Sequence, residues 1–140
     1  MSPQQIALVR SSWRRVLPIR ELAAELFYRR LFELDPRLEP LFRGNIAEQG
    51  RKLMAMLDLV VSHLDRLGEI LPDVQQLGRR HDAYRVPDDA YDTVGAALLS
   101  TLLIGLGDAL TREGEEAWAV AYTTLATVMK QAAAQAGAHA

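Results

Sequence analysis

Apolar residues recur at spacings of three and four along almost the whole chain, and that period leaves little room for anything but helices. Ile6, Val9, Trp13, Val16 and Leu17 form one run; Leu22, Leu26, Phe27 and Leu31 form a second. Leu53, Met56, Leu57, Val60 and Leu64 form a third, and Trp118, Tyr122, Leu125 and Met129 the last. At about 3.6 residues per turn these positions fall on one face of a helix. Alternating apolar and polar runs and Gly-rich hairpin signals are missing, so no strand is predicted.

Punctuation divides the pattern. Ser2, Pro3 and Gln5 make a capping box for a first helix. Pro18 marks a corner before a second helix from about Ile19 to Leu34, and Asp35-Pro36 ends it. Pro40 and Gly44 bracket an irregular stretch holding Phe42. Asn45 caps a helix expected to run to about Leu67, with Gly68 as its terminator. The next is expected from about Pro72 to Asp82, and another from Pro87, behind Asp88 and Asp89, to about Leu110. Thr111 caps the last, whose alanine-rich tail is expected to fray from about residue 134. With short links and no internal repeat, residues 1–140 read as one all-α domain.

Composition narrows the function. A net charge of -2 gives no electrostatic reason for a nucleic acid or anionic membrane partner. Having no cysteine excludes disulfides and thiolate chemistry and fits a reducing cytoplasm. No apolar stretch follows a basic start, so a signal peptide is not expected. The most apolar segment, 15 residues between Asp92 and Asp108, falls short of the roughly 20 that span a bilayer and reads as a core helix.

Five residues carry potential chemistry, each with a plain alternative. His81 lies in line with Val74 and Leu77, on a helix stripe, as a ligand or as a structural histidine. Phe42 stands in the irregular stretch, where it can plug a core. Tyr28 sits among apolar neighbours, Gln49 in a helix's first turn, and Tyr91 one turn into the Pro87 helix. Each of these also reads as packing or as solvated surface. There is no phosphate-binding loop, nucleophile elbow or zinc spacing.

In order and spacing these residues resemble the globin family, specifically bacterial single-domain globins and the haem domain of flavohaemoglobins. The carrying segments are ELFYRRLFELDPRLEPLF, EQGRKLMAML, LGRRHDAYRVPDDAYDTVGAALL and EEAWAVAYTTLATVM, which span nearly the whole chain. The resemblance implies a globin fold around haem b. His81 would be the proximal iron ligand, Phe42 would pack on the haem, and Pro36 would belong to the short third helix. Tyr28 and Gln49 would form the distal pair, with Leu53 as the distal apolar residue. Leu57, Leu77 and Val94 would cover the porphyrin. Lys52 and Arg80, with Arg79 and Arg85, either reach haem propionates or lie on solvated helix faces.

A proximal histidine leaves the sixth coordination site to a diatomic gas. Bound dioxygen gains negative charge, and a tyrosine hydroxyl or glutamine amide can donate to it. His63 lies 14 residues beyond Gln49, which is roughly 20 Å along a helix axis; it reads as a surface histidine. On the proximal side the family's tyrosine matches Tyr91, but its glutamate falls at Ala133, and Ala117 to Ala140 contains no acid. That weakens the push on the proximal ligand. It weighs against peroxidase-like activity and lowers the case for efficient nitric oxide dioxygenation.

Three functions are compatible with this. One is a haem protein that binds dioxygen and nitric oxide and converts them to nitrate, using an external reductase. A second is a non-enzymatic carrier or gas sensor acting through a partner. A third is a haem-free interaction module, against which His81 and Phe42 together weigh. A monomer and a homodimer through the last two helices are both compatible with the sequence.

Overall fold

The computed structural model describes the backbone of residues 1–41, 45–83 and 89–138, and the side chains of 1–40, 45–76 and 89–131. Phe42, Gly44, Arg85, Pro87 and Asp88 lie outside the described residues, as do the side chains of Leu77, Arg79, Arg80 and His81. The described residues form no strand. Their α-helices are α1 (Pro3–Val16), α2 (Arg20–Leu34), α3 (Ile46–Ser62), α4 (Leu67–Ala83), α5 (Ala90–Leu106) and α6 (Arg112–Ala138). Short 3-10 turns at Leu17–Ile19, Pro36–Leu41 and Gly107–Ala109 join or extend them.

The predicted caps are present where they are described. Ser2 and Gln5 exchange capping-box hydrogen bonds at 3.1 and 2.9 Å. Asn45 Oδ1 accepts from the Ala47 N–H at 2.9 Å, and Thr111 Oγ1 accepts from the Gly114 N–H at 3.0 Å. Each satisfies a backbone donor that the first helical turn leaves without a partner.

Several helix boundaries differ from expectation. α5 ends at Leu106, not near Leu110, where a 3-10 turn takes over. α3 ends at Ser62 rather than near Leu67, because a partner distant in sequence caps it. Arg10 of α1 donates to the carbonyls of Val61 and Ser62 at 3.1 and 3.0 Å and pairs with Asp65 at 2.8 Å. Gly68 therefore terminates nothing; it sits in the first turn of α4. Pro72 does not open that helix but lies inside it. Its ring removes the hydrogen bond to the Gly68 carbonyl, at a place where both residues are exposed and water can replace it.

All six helices contribute to the main core, α2 through Ala23 and Ala24, with α4 lying along α6 and α2 crossing both α3 and α5. Two tryptophans pin α1 in place: Trp13 Nε1 donates to Asp58 at 2.8 Å, and Trp118 Nε1 donates to Ser12 Oγ at 2.7 Å. Among the described residues, Ala90–Ala109 is long and apolar enough, by length and composition, to cross a bilayer. The span counted between Asp92 and Asp108 understates it, because the helix opens at Ala90 and a 3-10 turn extends it. Its inner face, Ala97, Leu98, Thr101 and Leu102, is at most 7% exposed, and it packs on α1, α2 and α6 as a core helix. Gly107, at φ +54°, lets the chain leave α5.

Candidate functional site

The site begins where α2 and α3 touch. A Cβ on Gly50 would lie 2.9 Å from the Ala24 Cβ and 4.0 Å from Tyr28 Cε2. Only a residue without a side chain lets the two backbones come this close. The contact sets α3 directly against the Tyr28 ring. Gln49 precedes Gly50 and is half-buried, and Leu53 stands one helical turn beyond Gln49.

Tyr28 is 6% exposed. Its ring meets Phe27 edge-on at 5.2 Å and tilts against Phe32 at 6.0 Å. Burial pushes its phenol up to about 12, which keeps the hydroxyl protonated and able to donate at any physiological pH. Around it lies an apolar cluster separate from the main core: Leu31 and Phe27 of α2, Leu38 of the 3-10 turn, and Ala90 and Ala97 of α5. Leu53 and Val94 pack against this cluster while staying half-buried, and Leu53 also touches the main core.

An ion-pair cluster fixes one end of this region. Arg37 grips Asp35 with two hydrogen bonds at 2.9 and 2.8 Å and reaches Asp89, at the start of α5, at 3.3 Å. The guanidinium holds the Asp35 carboxyl below its ordinary range. The end of α2 is thereby tied to the start of α5.

On the other side, Tyr91 is 5% exposed and belongs to the main core. Its carbonyl accepts from the Tyr122 hydroxyl. The Tyr122 ring occupies the space a Cβ on Gly95 would need, 2.8 Å from Cε2, so that glycine allows the contact. Burial, with Tyr91 and Asp92 nearby, pushes the Tyr122 phenol far above its ordinary value. Lys130 Nζ lies 5.5 Å from the Tyr91 ring centroid.

The structure thus gathers Tyr28, Leu53 and Val94 around one apolar cluster with Gln49 adjacent, whereas Leu57 faces the main core. Lys52 is on an exposed face, its Nζ 4.0 Å from Glu48. His63 follows α3 with Nδ1 2.9 Å from the Leu59 carbonyl and Nε2 3.9 Å from Glu69; both contacts are local. His81 is placed by its backbone on α4, while Phe42 lies outside the described residues. Gly50, Arg37 and Lys130 were not singled out from sequence. An isolated glycine inside a helical pattern, which costs the helix stability, is the signal that could have found Gly50; nothing in the sequence marks the other two.

These residues fit a haem. The half-buried apolar side chains of Leu53 and Val94 can receive a flat macrocycle, Tyr28 offers a hydrogen-bond donor in an apolar surround, and α4 carries an imidazole. Comparison with known proteins agrees. The globin family profile matches residues 25–129. Neuroglobin of Danio rerio is 31% identical over 99% of this chain and 96% of that protein. A flavohemoprotein of Vibrio cholerae is 29% identical over 91% of this chain, which spans 33% of that longer protein. A bacterial globin from Campylobacter jejuni shares the fold at a TM-score of 0.84 and 22% identity, covering 96% of this chain and 97% of that one. The neuroglobin similarity is one that the flavohaemoglobin-like reading of the sequence did not include. The chain belongs to the globin family, whose members bind haem and small gas ligands.

Proposed function

We propose that this globin holds haem b through His81 and binds dioxygen and nitric oxide reversibly, in a cytoplasmic setting. The observation that carries the reading is the buried Tyr28 hydroxyl beside the Gly50 crossing. When bound, haem supplies an iron centre with one coordination position open to a diatomic ligand. The chain supplies the surroundings. Tyr28 would donate a hydrogen bond toward dioxygen, and its burial keeps it a donor. Gln49 adds a second donor from α3. Leu53 and Val94 would present apolar surface to the macrocycle, Phe42 would pack on it, and the apolar cluster would stand behind Tyr28. The test is the absorption spectrum of haem-loaded protein, ferric and reduced, beside His81→Ala. A Soret band that the variant loses or shifts supports the reading; no haem uptake, or an unchanged variant, refutes it.

A second reading, nitric oxide dioxygenation to nitrate with an external reductase, is favoured by the flavohemoprotein similarity. The acid-free second half of α6 weighs against it, because no carboxylate there can strengthen the proximal ligand. Nitrate formed per nitric oxide consumed, with a reductase supplied, separates this reading from simple reversible binding or from sensing through a partner.

A further inference from the structure

Lys130 is out of keeping with its helix. From Ala117 to the end of the chain it is the only acidic or basic residue apart from His139. Its side chain is half-buried, and among the described residues no carboxylate lies within ion-pair distance of it. What holds its ammonium is a ring face: Nζ stands 5.5 Å from the centroid of Tyr91, within the range of an attractive cation–π contact. Tyr91 is itself fixed. It is 5% exposed, and its carbonyl accepts from Tyr122, whose ring rests on Gly95.

The placement has an electrostatic consequence. α4, which carries His81, lies along α6, and Tyr91 opens the helix that follows it. The nearest acid in sequence to the ring, Asp92, is exposed and acts on Tyr122. A half-buried positive charge with no ion-paired carboxylate among the described residues is screened less than one in water.

We infer that Lys130, seated on Tyr91, is a positioning residue that favours the reduced, less positive state of a centre held by His81. Lys130 would bias this globin toward reversible ligand binding and away from turnover through the oxidised state. The inference rests on the haem-binding reading above and deepens it.

The test is the ferric/ferrous midpoint potential of haem-loaded wild type, Lys130→Met, Lys130→Glu and Lys130→Arg, by spectroelectrochemistry, with thermal unfolding measured beside it. Removing the charge is expected to change the equilibrium about threefold toward ferric, about 28 mV downward at roughly 59 mV per tenfold. Lys130→Glu should move it about twice as far, and Lys130→Arg should leave it near wild type. A purely structural lysine would change the unfolding temperature of Met and Glu variants alike without ordering the potentials by charge, and that result overturns the inference. If His81→Ala shows the haem spectrum to depend on His81, unmoved potentials sink the role of Lys130 alone. If no such dependence exists, the haem reading has failed first.

Discussion

Gly50→Ala tests whether the α2–α3 crossing sets the geometry around Tyr28. The new methyl would be placed 2.9 Å from the Ala24 Cβ, whereas unstrained carbon pairs sit at about 3.5–4.0 Å. The helices must therefore separate by several tenths of an ångström to about 1 Å, since Ala24 has no flexible end that can swing aside. Overpacking of this kind costs about 1–3 kcal/mol. Replacing glycine by alanine inside a helix returns about 1 kcal/mol. The net loss should fall between about 0 and 2 kcal/mol, a shift in urea midpoint of up to roughly 1 M at a slope of about 2 kcal/mol/M. A single variant with so wide a range decides little, so the reciprocal change is needed. Ala24→Gly alone should lose about 1 kcal/mol of helix propensity and about 0.8 kcal/mol for the buried methyl. Combined with Gly50→Ala it makes room for the new methyl. The double variant should be less destabilised than the sum of the two singles by about 1–3 kcal/mol. Urea unfolding followed by fluorescence of the buried Trp13 and Trp118 reads all four proteins. Strict additivity would refute the claim that these two positions share one contact.

Tyr28→Phe should speed dioxygen release by one to two orders of magnitude, from the loss of a hydrogen bond worth about 1.5–3 kcal/mol at about 1.4 kcal/mol per tenfold. Leu53→Val removes no donor and should change release less, and stopped-flow rates in the opposite order would remove Tyr28 from its role. Arg37→Ala should lower stability at neutral pH, and the difference from wild type should vanish on acidification. Asp35 has its folded pKa depressed, so its contribution is present above the unfolded value near 3.9 and is lost as pH falls through the lower folded one; a difference constant down to acid would contradict this. Tyr28 works in the other direction. Its folded pKa is raised to about 12, so stability is intact below about pH 10 and falls by roughly 2–3 kcal/mol as pH rises through that interval. Tyr28→Phe should flatten that alkaline loss, and an unchanged alkaline limb would show the phenol is not held neutral by burial.

Much of the fold was legible because local chemistry decides it. The Ser2–Gln5 box, the Asn45 and Thr111 caps and the Pro18 corner all act within four residues, and each appears as expected. The candidate site was legible differently. Tyr28, Gln49, Leu53 and His81 stood out through a family pattern, not through their neighbours in sequence. The structure then shows what makes the Tyr28 side workable: a ring buried by Phe27 and Phe32 and a helix admitted by Gly50.

What the sequence hid was set by partners distant along the chain, and the glycines show why. Gly68 and Gly50 are the same residue inside runs of helical pattern. Gly68 reads as a terminator, and nothing in the sequence analysis singles out Gly50. Gly68 terminates nothing because Arg10, 51 residues before Val61, already satisfies the end of α3. Gly50 matters because Ala24 arrives opposite it from another helix. Neither fact is written in the residues beside the glycine. The same holds for charges. Lys52, close to the proposed pocket in sequence, spends its charge on Glu48 at an exposed face. Lys130, in the blandest stretch of the chain, meets the buried Tyr91 ring. Which surface a cation is packed on is therefore set by the fold, and not by its distance in sequence to the proposed ligands.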